Sequence, residues 1–153
     1  MQRATFASEL GALDRQVQPV RVFVFAGESS YRAYLSDVIG TVPMHTTGIY
    51  SHALGQLLLW QTPDRGRMLQ TVRHEGLHWY LEHLLREPPR WLNEGLAQYY
   101  EAASARGARA GAVSQRALWV ASLRQKQLVP LAKFVAFTDR EFYADPVLSY
   151  AQS

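Results

Sequence analysis

Apolar residues along this chain follow two periods, and the change of period near Arg67 divides it. Val20–Phe25, "VRVFVF", is dense in β-branched and aromatic residues and predicts a strand that stops at Gly27. Tyr31, Tyr34, Leu35 and Val38 then recur at helical spacing, with Ser29 or Ser30 as the expected cap and Gly40 as the stop. "GIYSHALGQLLLWQ" predicts two short strands around a turn at His52–Gly55, and "TPDRG" a loop. From Arg67 onward, Leu69, Val72, Leu77, Tyr80, Leu81, Leu84 and Leu85 recur at intervals of three and four. That spacing predicts an amphipathic helix ending before Pro88–Pro89, because the residue before a proline is driven out of the helical region.

A second helix is expected from about Trp91 to Ala103. The stretch 102–113, rich in Ala, Gly and Arg, predicts a loop, and Ser114 is placed to cap a further helix. Pro130 to Phe137 predicts a short helix with proline at a favoured first position. "TDREFYADP" carries no assigned element, and "VLSYAQS" predicts the first turns of a last helix. The chain stops inside that helix, so a fragment cut within an element, with little activity alone, is expected. The elements together predict an α+β fold. A small mixed or antiparallel sheet, in about 18–66, would pack on the long helix, with a mainly helical part over about 67–153. A length of 153 residues fits one domain spanning 1–153.

Composition narrows the chemistry. With 48% hydrophobic and 19% charged residues, the chain has the balance of a folded domain. The net charge of +3 comes mostly from scattered arginines, with Lys126 and Lys133 the two lysines. No dense basic block is present, so no nucleic-acid partner is expected. No stretch reaches the roughly 20 apolar residues of a membrane span. The N-terminal "MQRATFASELGALDRQ" lacks an apolar signal core. The chain has no cysteine, so thiolate metal sites and cysteine nucleophiles are excluded, and any metal must be held by His, Asp or Glu.

The residues that carry chemistry begin at His74-Glu75-Gly76-Leu77-His78. On a helix, residues four apart lie one turn above each other, so two imidazoles at this spacing can grip one zinc ion. Glu75 can then reach a water on the metal without being a ligand. A catalytic zinc usually has three protein ligands and one open position. A chain reversal at Pro88–Pro89 would bring the second helix back, and Glu94 on it could complete the set. The plain alternatives are a solvated helix face for the first motif and a helix-start carboxylate for Glu94. His45, His52 and His83 read as surface histidines. Trp79, Tyr80, Trp91, Tyr99 and Tyr100 sit at spacings typical of core positions.

HEGLH followed by "WLNEGLAQYYE" resembles the gluzincin metallopeptidases, the thermolysin and aminopeptidase N group. "W-L-N-E-G-x-A-x-Y" is especially similar to the aminopeptidase N-like enzymes. The chain as a whole looks more like the small peptidase MA-like domains of bacterial proteins, in which a Gly-x-Tyr strand, here Gly48-Ile49-Tyr50, precedes HExxH. The resemblance implies a zincin-like fold and one zinc ion held by His74, His78 and Glu94, with Glu75 as general base and acid. It implies oxyanion stabilisation by Tyr150 in "LSYAQS", with Tyr143 as the second candidate. It also implies that Asn93 and Gln98 accept the outer N–H groups of the ligand histidines. In thermolysin-like sites an Asp stands at the position of Gln98, and the Lys-Gly after the tyrosine is Gln152-Ser153 here. The Gly-Ala-Met-Glu-Asn element of those aminopeptidases is absent.

The function implied is hydrolysis of peptide bonds in a peptide or protein substrate. An edge strand, with Leu57–Trp60 as the candidate, would pair with the extended substrate. Many such domains belong to exported bacterial proteins. Two other functions carry the same residues: a zinc-binding interaction domain that cleaves nothing, and a zinc amidase acting on a non-protein amide.

Overall fold

The computed structural model describes residues 19–40, 42, 46–85, 87–103, 119–121, 123–125 and 127–153. The expectations for the N-terminal 16 residues, His45, nearly all of the 102–113 loop and Ser114 fall outside them. The fold is mixed α+β, with one three-stranded sheet and helices over most of the rest. The chain separates into two compact units, 1–84 and 85–153.

The first unit holds the sheet. Strand β1 (Arg21–Phe25) leads into helix α1 (Glu28–Val38), followed by strands β2 (Gly48–Ser51) and β3 (Gln56–Trp60) and helix α2 (Arg65–Leu85). The sheet order is β1-β3-β2, with β3 parallel to β1 and antiparallel to β2. This overturns the expectation that Leu57–Trp60 is an edge strand. β3 is the central strand, and the edges are β1 and β2. The physical reason is visible in its composition. Leu57, Leu58 and Leu59 are all buried, so β3 is covered on both faces and reads as an unbroken apolar run. Leu58 joins Tyr31 and Leu35 of α1 in one core cluster, with Phe25, Tyr34, Ile39, Ile49 and Trp60 packed around it. Tyr34 also donates from its hydroxyl to Gln56 Oε1 at 3.2 Å.

Helix α1 ends where Gly40, at φ 77°, donates its N–H back to the Leu35 carbonyl. Its start differs from expectation. Gly27 occupies the cap position without a side-chain bond, while Ser30 turns its hydroxyl back to the Gly27 carbonyl at 3.0 Å. Helix α2 starts at Asp64, whose Oδ1 accepts from the N–H groups of Gly66 and Arg67. It buries Gly76, Leu77, Trp79, Tyr80 and Leu81.

The second unit is helical in its described residues. Helix α3 (Arg90–Ala103) starts on Pro89, whose carbonyl accepts from Leu92 and Asn93. Three short helices follow: α4 (Leu131–Phe134), α5 (Asp139–Phe142) and α6 (Pro146–Gln152). Pro130 caps α4 from outside, so that helix is shorter than the predicted 130–137. α5 was not expected. Thr138 and Glu141 form a reciprocal capping box that starts it. Phe134 and Phe142 are buried in the core of this unit with their rings tilted against each other, and half-buried Tyr150 meets Phe142 edge to face. Among the described residues, no helix is long and apolar enough to cross a membrane.

Candidate metal and catalytic site

Helix α2 carries the HExxH residues. His74, Glu75 and His78 each offer a ligand atom, and these atoms lie within 4.8 Å of one another. The two imidazole rings stand nearly perpendicular, with centroids 4.8 Å apart. All three side chains are half-buried, beside the buried Gly76, Leu77, Trp79, Tyr80 and Leu81 of the same helix. Two imidazoles at this separation, with a carboxylate beside them, suit a zinc ion.

The Glu75 carboxylate is held by the sheet. Its Oε2 accepts from the main-chain N–H of Tyr50, on edge strand β2, at 2.7 Å. Two further contacts, from the residues that flank the strand, reach the same helix. Thr47 and Thr71 share a hydroxyl–hydroxyl bond of 2.8 Å. His52 Nδ1 lies 2.7 Å from Glu82 Oε1. Burial, and then Glu82, raise the Tyr50 phenol above its ordinary range, so it stays a donor. Gly48 allows the close approach: a Cβ there would lie 2.6 Å from Thr71 Cγ2.

Glu94 and its surroundings belong to the second unit. Glu94 is buried on α3, one turn after Arg90. Its Oε1 accepts from the Tyr143 hydroxyl at 3.4 Å, and Arg90 Nη1 lies 4.0 Å away. Arg90 is itself fixed by Asp139, at 2.5 Å, and its guanidinium sits over the Tyr143 ring. The Asp139 bond raises the Arg90 pKa, and Arg90 in turn lowers that of Asp139, so both are charged at neutral pH.

The Tyr150 hydroxyl lies near Tyr143 and Glu94. Burial first, and then the Glu94 charge, hold it far above the ordinary phenol range. Tyr143 is raised for the same two reasons. Both phenols therefore stay neutral near Glu94, and Tyr143 donates to it.

Several bonds fix α6, which carries Tyr150. Asp145 caps its start by accepting from Leu148 N–H at 3.1 Å. Gln152 makes paired bonds to the Val129 main chain. Gln98 Nε2 donates to the Tyr150 carbonyl at 3.0 Å and to Ser153 Oγ at 3.3 Å. The Gln98 amide nitrogen is thus committed to the end of α6. Gly95 lets α3 and α6 meet, because a Cβ there would lie 2.6 Å from the Ser153 carbonyl oxygen. Asn93 is half-buried in the first turn of α3, beside Glu94 in sequence.

Sequence reasoning placed Tyr50 on the strand before HExxH but gave neither it nor Glu82 and Arg90 a part in the site. Two of these had a signal. Glu82 lies seven residues after Glu75 and Arg90 four before Glu94, spacings that share a helix face. His52 is a surface residue with a partner, 77% exposed in its side chain and paired with Glu82. His83 turns its Nδ1 to the Trp79 carbonyl, away from any ligand role.

No protein-family model matches the chain, no curated protein matches it in sequence, and no solved structure matches it.

Proposed function

We propose that this chain is a zinc-dependent metallopeptidase domain of gluzincin type, with a zincin-like fold, that hydrolyses peptide bonds. The observation that carries the reading is the grouping of His74, Glu75 and His78 on one helix, with ligand atoms within 4.8 Å. A structural zinc needs no adjacent carboxylate, whereas hydrolysis needs a base beside the metal. His74 and His78 would hold the zinc ion. Glu94 is the third ligand on the strength of the WLNEG resemblance.

A zinc ion held by these residues would supply Lewis acidity to the reacting water and carbonyl. Glu75 then takes a proton from the attacking water and returns it to the leaving amine. Its position is supported by the Tyr50 N–H. Tyr150 donates to the carbonyl oxygen on which negative charge develops, a role that requires a phenol still protonated at working pH. One such donor is typically worth roughly 2.7–4 kcal/mol. Tyr143, beside it, is the alternative donor. Asn93 and Gln98 accept the outer N–H groups of the histidines, which orients the rings. The substrate is a peptide or protein.

Metal analysis joined to peptide-library cleavage tests the proposal. The protein should hold about one zinc per chain, and cleavage should stop when a chelator is added. His74→Ala that kept its full zinc would overturn the ligand assignment. Zinc binding with no chelator-sensitive product would point to a non-catalytic binding domain.

A further inference from the structure

Helix α6 is seven residues long, and the carbonyls of a helix's last turn have no partner within the helix. The Tyr150 carbonyl is one of these, and its partners are side chains. Gln98 Nε2 reaches across from α3 and donates to it at 3.0 Å, and Ser153 Oγ donates to it at 3.3 Å. Gln98 Nε2 also donates to Ser153 Oγ at 3.3 Å, so the three groups close a small ring of hydrogen bonds.

Helix α3 is shaped for this contact. Gly95 lies three residues before Gln98, on the same helix face. A Cβ at Gly95 would come within 2.6 Å of the Ser153 carbonyl oxygen and 2.8 Å of its carbon, so a side chain there would push α6 away. Gly95 lets the end of α6 come close, and Gln98 bonds it. That bond needs an N–H. A carboxylate of the same length offers oxygens alone and would face the Tyr150 carbonyl with no proton between them.

The Tyr150 ring is held separately. It meets Phe142 edge to face with centroids 5.4 Å apart, and it stacks on Trp119 at 6.4 Å. Asp145 fastens the start of α6, and Gln152 fastens it to the Val129 main chain. The Gln98 bond lands on Tyr150 itself. Tyr150 is thus held through its ring and through its main chain, and the two together set the direction of its hydroxyl.

We propose that Gln98 is the positioning residue for Tyr150: its amide N–H, donated across from α3, ties the Tyr150 carbonyl and so fixes where the hydroxyl points. The kinetic consequence rests on the reading of Tyr150 as the oxyanion donor; the tie itself does not. The tie uses the amide nitrogen of Gln98, whereas accepting a histidine N–H uses the amide oxygen, so the two roles can be separated.

The test separates them with Gln98→Glu, which keeps an acceptor oxygen at the same length and removes the donor, and Gln98→Met, which removes both. Tyr150→Phe and the Gln98→Glu/Tyr150→Phe double variant complete the set. In zinc-free protein, two signals report the tie: the carbonyl carbon shift of Tyr150, and hydrogen exchange of the residue-153 amide, which donates to the Ser149 carbonyl at 2.9 Å. In zinc-loaded protein, zinc content, kcat and KM for chelator-sensitive cleavage report its consequence. Both Gln98 variants should move the Tyr150 carbonyl carbon upfield and speed residue-153 exchange by about fivefold, the effect of one lost hydrogen bond. Gln98→Glu should lower kcat by a similar factor with zinc content and KM unchanged. In the Tyr150→Phe background the same change should lower kcat no further, because the two residues act through one hydroxyl. An unmoved carbonyl shift and unmoved residue-153 exchange in both Gln98 variants would overturn the proposal. So would a Gln98→Glu loss that persists in full without the Tyr150 hydroxyl, the result that a merely structural role gives. A wild-type protein that cleaves nothing, or a Tyr150→Phe variant with wild-type kcat, contradicts the peptidase or oxyanion reading instead, and the zinc-free measurements then decide the tie by themselves.

Discussion

Gly48 is the residue where the strand and the helix come nearest. An added Cβ would meet Thr71 Cγ2 at 2.6 Å, the Leu58 carbonyl oxygen at 3.1 Å and Leu59 Cβ at 3.2 Å. Thr71 cannot swing aside without breaking its bond to Thr47. Gly48→Ala should therefore destabilise the protein by about 1–3 kcal/mol, the usual cost of overpacking. A denaturant titration would show this as a lower midpoint at an unchanged slope. A midpoint equal to wild type would mean that β2 has room to move off α2. At this scale the sequence was legible wherever chemistry follows from spacing within one element. His74 and His78 are four apart on one helix, and their proximity follows from helix geometry alone. The Tyr50–Glu75 bond was not legible, because it joins a strand amide to a side chain 25 residues later, and nothing local encodes that pairing.

The short helix α6 depends on its ends. With seven residues it is too short to be stable by propensity, so its caps and packing must hold it. Asp145 supplies the N-cap, and Tyr150 lies one turn further on. Asp145→Ala should cost about 1 kcal/mol of stability and lower kcat while zinc content is retained, because it loosens the helix that carries Tyr150, the proposed oxyanion donor. Parallel thermal melts, metal analysis and peptide kinetics would check this; stability and kcat both at wild-type values would show that the cap is idle. Elements were legible where a strong period or a proline marked them: both hairpin strands, α2 and α3 lie close to their expected bounds. The central place of β3 was not, since an apolar run shows burial but not which strands lie beside it. Helix α5 was missed although Thr138 and Glu141 spell its capping box, because its four residues are too few to show a period.

At the scale of the whole molecule, the α+β class follows from the change of period near Arg67, and the structure bears that class out. Its two units carry different parts of the proposed chemistry. The sheet-bearing unit holds the histidine pair and the base, with the base fastened to strand β2. The helical unit holds Glu94 among Tyr143, Tyr150 and Arg90, where the two phenols stay neutral and Arg90 stays charged. The proposed third ligand, Glu94, and the proposed oxyanion donor, Tyr150, were legible as motif resemblance alone, and their meeting within one unit needed the three-dimensional fold. The central claim is that Glu75 moves the proton of the attacking water during peptide hydrolysis. The most direct measurement is the kcat of zinc-loaded Glu75→Gln on a peptide that the zinc-loaded wild type cleaves. General-base loss predicts a fall of about 10²- to 10⁴-fold with the zinc retained; turnover within about a factor of two of wild type would contradict the assignment.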